Sequence, residues 1–352
     1  MRSRPAAPAA RPGALAGRLL APLRTPAGFR TLALVAMVLL WAIVPSGAVV
    51  RLTGSGLGCP DWPLCDGSVV PEAAGHAWIE FTNRIFSGLV MAAAVLTWVA
   101  ARRLPGRPPA LRRWAATIAL ATAAQVPLGA VTVYYDLHPA LVSSHFLLSM
   151  VALGAGTLLW LRARDAAAGD ARGWDRRKGP LAAATAAALL AVLATGVLVT
   201  SAGPHSGDND VIVRYGNFGD ALHVHVRAAV VFLTLTAVLS AWLWREGAAD
   251  RLTRRLAVAH VPLTLTQTGI GEYQFRNGLP WQVVAVHVSL AALLWGLTVA
   301  IAWSIARPRR APGRRTAIPP GPARWSRGPC SPWPPAAAAG RTRRRPGWRA
   351  TP

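Results

Sequence analysis

Asn83, His145, His225 and His287 each lie about six residues inside one end of a long apolar block. With a helical rise of 1.5 Å per residue, all four fall about 9 Å below the same membrane surface. Polar side chains are costly inside a bilayer and invite a functional reading. A lone histidine there is most simply a helix-to-helix hydrogen bonder, but several at one depth form a layer. Two facing helices that each offer an imidazole can hold a haem between them by axial ligation. His225 and His287 are expected to form such a bis-histidine site. Zinc fits less well, since the sequence has no ligand cluster of short spacing. His223, two residues from His225, points to a different helix face and is not the expected partner.

The other pair is unequal. His145 is an imidazole, but its companion position is Asn83, a poor iron ligand. A haem held there by one imidazole would keep its other face open to dioxygen or water. In "HAWIEFTNR", Glu80 stands one turn above Asn83, and His76 one turn above that. His76 is an alternative ligand set close to the surface. Glu80 has two readings: an i,i+4 pair with Arg84, or a carboxylate beside the open face, placed to transfer protons or stabilise a cationic intermediate. Arg51, Arg84 and Arg227 near the helix ends either neutralise haem propionates or snorkel to headgroups.

Cys59 and Cys65 lie six residues apart in "RLTGSGLGCPDWPLC", directly after the first apolar block. In an oxidising compartment they can form a disulfide, either as a clip that shapes the loop or as a redox-active pair. Closing so short a loop contributes roughly 2 kcal/mol in the chain-entropy account. Cys330 has no such partner. The loop "SAGPHSGDNDVIVRYGNFGD" is long and acidic enough to cover the second site, with His205 in a structural role.

The elements that must position these residues are membrane helices. The 352 residues are 53% apolar and 15% charged, and the apolar ones come in long blocks. Eight blocks read as spanning helices: 31–50, 79–101, 114–134, 140–161, 180–202, 220–244, 256–273 and 281–305. The seventh is weakest, because it holds His260, Gln267 and two glycines. The formal charge of +24 gathers in both tails and in alternate links, the topological bias that puts those segments in the cytoplasm. A nucleic-acid partner is therefore not expected; membrane lipid is. Residues 1–30 read as a basic cytoplasmic tail rather than a cleaved signal. Residues 306–352, rich in Arg and Pro with no acidic residue, read as a disordered cytoplasmic tail.

An internal repeat orders the blocks. "QVPLGAVTVYYDLHPALVSSHFLL" and "QTGIGEYQFRNGLPWQVVAVHVSL" match without a gap at an offset of 142, pairing Gln125 with Gln267, Gly129 with Gly271, Leu137 with Leu279 and His145 with His287. The same offset pairs Asn83 with His225, and "SGAVVRLTG" matches "TGVLVTSAG" at a slightly different one. The expected fold is all-α and integral to the membrane. It has eight transmembrane helices as two tandem pseudo-symmetric four-helix bundles, over 31–164 and 180–305, joined by a cytoplasmic linker at 165–179.

With "GAVVRLTGSGLGCPDWPLC", "IEFTNR", "QVPLGAVTV…SSHFLL", "SAGPHSGD" and "QTGIGEYQF…LPWQVVAVH", the chain resembles the haem A synthases over about residues 30–305. The resemblance implies a protein of the bacterial plasma membrane that oxidises one ring methyl of haem O to a formyl group, giving haem A for cytochrome oxidase. It implies haem b as cofactor on His225 and His287, substrate haem on His145, an essential acid at Glu80 and a disulfide between Cys59 and Cys65. An electron donor is required, and a haem O synthase is a candidate partner at the basic cytoplasmic face. The chain departs from the family pattern at Asn83, where a histidine often precedes the arginine of "NR". The rival readings are a non-catalytic diheme electron carrier and a transporter built on a duplicated bundle.

Overall fold

The computed structural model describes residues 25–305, apart from 73, 107, 168–176, 206, 209, 211–213 and 246–250. The expected tails, Cys330 and most of the 165–179 linker fall outside the described residues. The described residues form eight helices: α1 (Pro26–Leu52), α2 (His76–Arg103), α3 (Pro109–Tyr134), α4 (Pro139–Ala167), α5 (Gly179–Ala202), α6 (Phe218–Arg245), α7 (Arg251–Arg276) and α8 (Trp281–Ile305). Among those residues the only β-type pairings are two isolated bridges, Ser55 with Asp208 and Cys65 with Ser68.

Most of the helices overrun the apolar blocks that announce them by a few residues, because their caps and charged ends lie in the interface. At the start of α1, Thr25 accepts a hydrogen bond from Gly28 N at 3.0 Å, and Pro26 occupies the first turn. Seven helices are long and apolar enough to cross a membrane, making this a multi-pass membrane protein. The exception is α7, the weakest of the expected spans. It is fully helical, but its ends carry Arg251, Arg254, Arg255, Glu272 and Arg276, and its middle carries His260 and Gln267. Two of its interior polar groups reach α8, with His260 Nε2 2.8 Å from Thr298 Oγ1 and Gln267 Nε2 donating to His287 O at 3.0 Å.

In the first half, α1 packs on α2, α2 on α3, α3 on α4, and α4 returns to α1. In the second, α5 meets α6, α6 meets α7, α7 meets α8, and α8 returns to α5. The halves touch through α1 with α8, α4 with α5, and α4 with α8. Small residues allow these close approaches. Within the first half, a Cβ on Gly156 would sit 3.0 Å from Leu40 Cδ1 of α1; between the halves, one on Gly154 would sit 3.2 Å from Trp295 Nε1 of α8. Tryptophan N–H groups cross the same seam: Trp295 Nε1 donates to Met150 O at 2.8 Å and Trp41 Nε1 to Ser289 O at 3.3 Å. The main core, including Phe29, Ile118, Met150 and Leu159, lies chiefly among α1–α4.

The turns that lead into α4 and α8 repeat one another in backbone conformation and in their central hydrogen bond. Leu137 and Leu279 both adopt left-handed backbone, at φ 56° and 59°, a conformation uncommon for a branched side chain. Leu137 N donates to Thr132 O at 2.9 Å and Leu279 N to Gln274 O at 2.8 Å. His145 and His287 each follow the first residue of their helix by six positions, while Asn83 and His225 follow theirs by seven.

Candidate functional site: glycine cradles at one depth

Each histidine of the layer rests against a glycine on the preceding helix. His225 of α6 lies against Gly196 of α5, where a Cβ would come within 3.1 Å of the ring carbon Cε1. Its Nδ1 stands 3.1 Å from Val192 O and 3.2 Å from Thr195 Oγ1. A carbonyl only accepts, so Nδ1 carries the hydrogen and Nε2 keeps a lone pair, the form in which imidazole binds a metal. His287 of α8 lies against Gly271 of α7, with the same 3.1 Å clearance. In the first half, His145 of α4 lies against Gly129 of α3 at 3.7 Å. The Nδ1 atoms of both His145 and His287 are buried without a hydrogen bond.

Glutamines brace the same histidines from behind. Gln125 Nε2 donates to His145 O at 3.0 Å and Ser149 Oγ at 2.7 Å, mirroring Gln267 on His287 O. These glutamines and glycines stand in the matched stretches of the repeat, so their positions were visible in sequence. Their service as cradles was not, because it depends on which helix faces lie together.

The fourth corner differs. Asn83 accepts a hydrogen bond from Ser46 Oγ at 2.8 Å through Oδ1, and a Cβ on Gly47 would meet nothing within 4 Å. Ser46 and Gly47 correspond to Thr195 and Gly196, so the polar contact persists while the ring does not. The donor set therefore fits a haem with two imidazoles in the second half, and with one in the first.

Above Asn83 lies a tightly bonded cap. Cys59 and Cys65 form a disulfide, and both are buried. The N–H of Cys59 donates to Glu80 Oε2 at 2.7 Å, while Arg84 Nη2 and Nε hold Glu80 Oε1 at 2.5 and 3.1 Å. Arg84 also donates to Cys59 O at 3.1 Å, Asp61 O at 3.1 Å and Leu64 O at 2.8 Å. Glu80 is only 5% exposed, and both its oxygens are engaged. The i,i+4 ion pair is thus present, within a clamp that ties the disulfide loop to α2. Gly58 lets that loop lie on the helix start, since a Cβ there would be 2.6 Å from the His76 carbonyl. His76 Nδ1 is 2.8 Å from Ser55 Oγ. At the loop tip, Asp61 accepts from Gly67 N at 2.9 Å and Asp66 N at 2.6 Å, and these bonds, the Gly67 one foremost, hold its carboxyl below the usual range.

Arg51 ties the end of α1 to the end of α5 and the loop that follows it. Its Nε donates to His205 O at 3.0 Å and its Nη2 to Thr200 O at 3.3 Å. Beside it, Gly56 N donates to Gly207 O at 2.8 Å, and His205 Nε2 lies 2.9 Å from Leu279 O. Of the three arginines expected near haem propionates, two are committed to loop carbonyls. Arg227, two residues beyond His225, is exposed.

The pattern of the COX15-CtaA family, described as cytochrome oxidase assembly protein, matches residues 30–205, half of the chain. A protoheme IX farnesyltransferase of Thermus thermophilus is 31% identical over 307 residues, covering 80% of this chain and 49% of that protein. A heme A synthase of Symbiobacterium thermophilum is 37% identical over 103 residues, 29% of this chain and 33% of that protein. One of Bacillus licheniformis is 30% identical over 135 residues, 37% and 43% respectively. The chain spans half or less of the length of these curated relatives. With the matched pattern running through the disulfide loop, the Glu80–Arg84 clamp and the His145 cradle, the chain belongs to the COX15-CtaA family of cytochrome oxidase assembly proteins.

Proposed function

We propose that the chain is a haem A synthase, an oxidoreductase that converts a ring methyl of haem O to a formyl group. The observation that carries this reading is the inequality of two otherwise matched sites. One offers two imidazoles in glycine cradles; the other offers a single imidazole beneath a buried carboxylate and a disulfide cap. Relatives named heme A synthase support the same activity.

In this reading the second half holds haem b between His225 and His287, and the cofactor when bound supplies reversible one-electron transfer. Val192 O and Thr195 keep the His225 ring turned with Nε2 free. The first half holds the substrate, haem O, on His145, which Gly129 and Gln125 seat. Glu80 lies over the reacting edge. Cys59 N–H and Arg84 fix both its oxygens, so the carboxylate is oriented before substrate arrives and can take up or return a proton at the methyl being oxidised. The disulfide loop, gathered by Arg84, keeps bulk water from that edge. Arg227 is the arginine left for a propionate.

The proposed architecture is two tandem pseudo-symmetric four-helix bundles, residues 31–164 and 180–305, with α7 as the eighth span. It is supported by a packing pattern that maps onto itself when α1–α4 are exchanged with α5–α8, and by the paired Leu137 and Leu279 turns. The proposed location is the bacterial plasma membrane with both termini in the cytoplasm, an orientation supported by the basic alternate links. A haem O synthase is the proposed neighbour. The Thermus relative carries a farnesyltransferase name and extends well beyond the half that resembles this chain, which supports a close pairing of the two activities.

Co-expression with a haem O source, purification and chromatography of the extracted haems test the reading. Haem B together with haem O, hydroxylated haem or haem A is expected. Haem B alone in unit ratio would sink it in favour of an electron carrier.

A further inference from the structure

We propose that the corner formed by Ser46, Gly47 and Asn83 is a binding pocket for a small, hydrogen-bond-accepting ligand of dioxygen size, on the face of the substrate haem opposite His145. The inference rests on the reading of His145 as the substrate ligand and adds to it a built site on the other side.

The observation is a fourfold comparison within one molecule. At Gly129, Gly196 and Gly271, an imidazole edge fills the space over the glycine, 3.1 to 3.7 Å from where a Cβ would lie. At Gly47 the same space meets nothing within 4 Å. The neighbouring hydroxyl keeps its place in both halves: Thr195 Oγ1 reaches His225 Nδ1 at 3.2 Å, and Ser46 Oγ donates to Asn83 Oδ1 at 2.8 Å. Asn83 is shorter than histidine and is fastened at Ser46, so the room that a ring takes in the second half stays clear in the first.

The chemistry of the corner is also specific. With Oδ1 occupied by Ser46, Asn83 Nδ2 donates to no described residue. An amide N–H beside the position that a ring edge fills at the other three corners suits a ligand that accepts a hydrogen bond and is no larger than imidazole. Anions are disfavoured, since the charged groups nearest in sequence, Glu80 and Arg84, neutralise each other. A glycine in this place also lets a ligand approach the α1 backbone closely. The first half thus keeps the cradle architecture of the second while exchanging a built-in ligand for one from outside.

The test uses the full-length protein, purified with both haems, and imidazole as the size probe. The His145→Ala difference spectrum identifies the haem of the first half, and the His225/His287 spectrum serves as an internal control for folding. In the wild type, imidazole should convert the first-half haem to a low-spin, bis-imidazole spectrum. Gly47→Val should fill the corner and weaken imidazole binding by roughly tenfold or more. Asn83→His should give that low-spin spectrum with no imidazole added. In the reduced protein under carbon monoxide, Asn83→Leu should raise the C–O stretching frequency by removing the amide donor. Imidazole binding that Gly47→Val and Asn83→His leave unaltered would overturn the pocket, and an unmoved C–O stretch would overturn the donor. If His145→Ala removes no haem, the substrate-site reading itself fails, and the pocket with it.

Discussion

The two halves pack alike and differ around the start of their second helices. The offset that pairs Asn83 with His225 also pairs Glu80 with Leu222 and Arg84 with Val226. At these positions the second half therefore has neither a carboxylate nor a guanidinium, and it has two imidazoles. The first half has one imidazole, a buried ion pair and a disulfide loop bonded to it. In the proposed architecture a duplicated scaffold specialises in this way, with the cradle glycines and bracing glutamines seating the rings alike in both halves. A few side chains on the second helix of each unit then decide whether a bound haem is enclosed or exposed to reaction.

The comparison is broken most severely by removing a ring from the symmetric site. His225→Ala or His287→Ala should cut haem b content by more than about 100-fold, read as loss of the b-type spectrum in purified protein. Retention of that spectrum would remove the bis-histidine assignment. Next comes the group that the second half lacks. Glu80→Ala should leave haem b in place and lower haem A formation by roughly 100-fold, the usual scale for a positioned acid–base group. Normal output from that variant would end the role given to Glu80.

The cradles themselves give a sharper, smaller contrast. Gly271→Ala puts a Cβ 3.1 Å from the His287 ring and should cost about 1–3 kcal/mol, with a shifted haem b spectrum. Gly47→Ala, with nothing within 4 Å, should stay within about 0.5 kcal/mol by thermal unfolding. Equal effects at the two glycines would mean the corners are not different in the way described. Cys59→Ala should reduce haem A yield several-fold without stopping membrane insertion, since the loop it closes contributes only about 2 kcal/mol but presents the N–H that holds Glu80. Unchanged yield would reduce the disulfide to a clip with no bearing on the reaction.

The smallest effect is that of pH on the loop tip. Asp61 has a carboxyl held below its ordinary range by backbone N–H groups, so it contributes to loop order above that range and ceases to as pH falls through its folded value. Protease susceptibility of the 59–67 loop should rise only at strongly acidic pH, and Asp61→Asn should bring the more susceptible state to neutral pH. A loop equally resistant in both proteins would show that the tip bonds do not hold it.

Much of this was legible in the residues alone. Helix number and extent followed from the apolar blocks, because a bilayer demands about twenty such residues per crossing. The layer followed from the repeat, and α7 was already the doubtful span, since its polar residues show in composition. Arg84 was read as either ion-pair partner or propionate ligand, and Arg51 as a propionate ligand or a headgroup anchor. A sequence does not say which backbone carbonyls a folded loop will turn toward a guanidinium. In the fold, Arg84 collects Cys59, Asp61 and Leu64, and Arg51 collects Thr200 and His205 from the other half.

By itself, then, the sequence determined the membrane class, the internal repeat and the matched positions of Asn83, His145, His225 and His287 along their helices, all of which are one-dimensional properties of spacing and polarity. Only the tertiary structure decided that glycines on neighbouring helices receive the rings, that Gly47 receives none, and that a disulfide loop reaches Glu80 through a backbone N–H. Those facts depend on which faces of separate helices meet. Packing across 20 to 150 residues of chain sets them, and no local pattern encodes it.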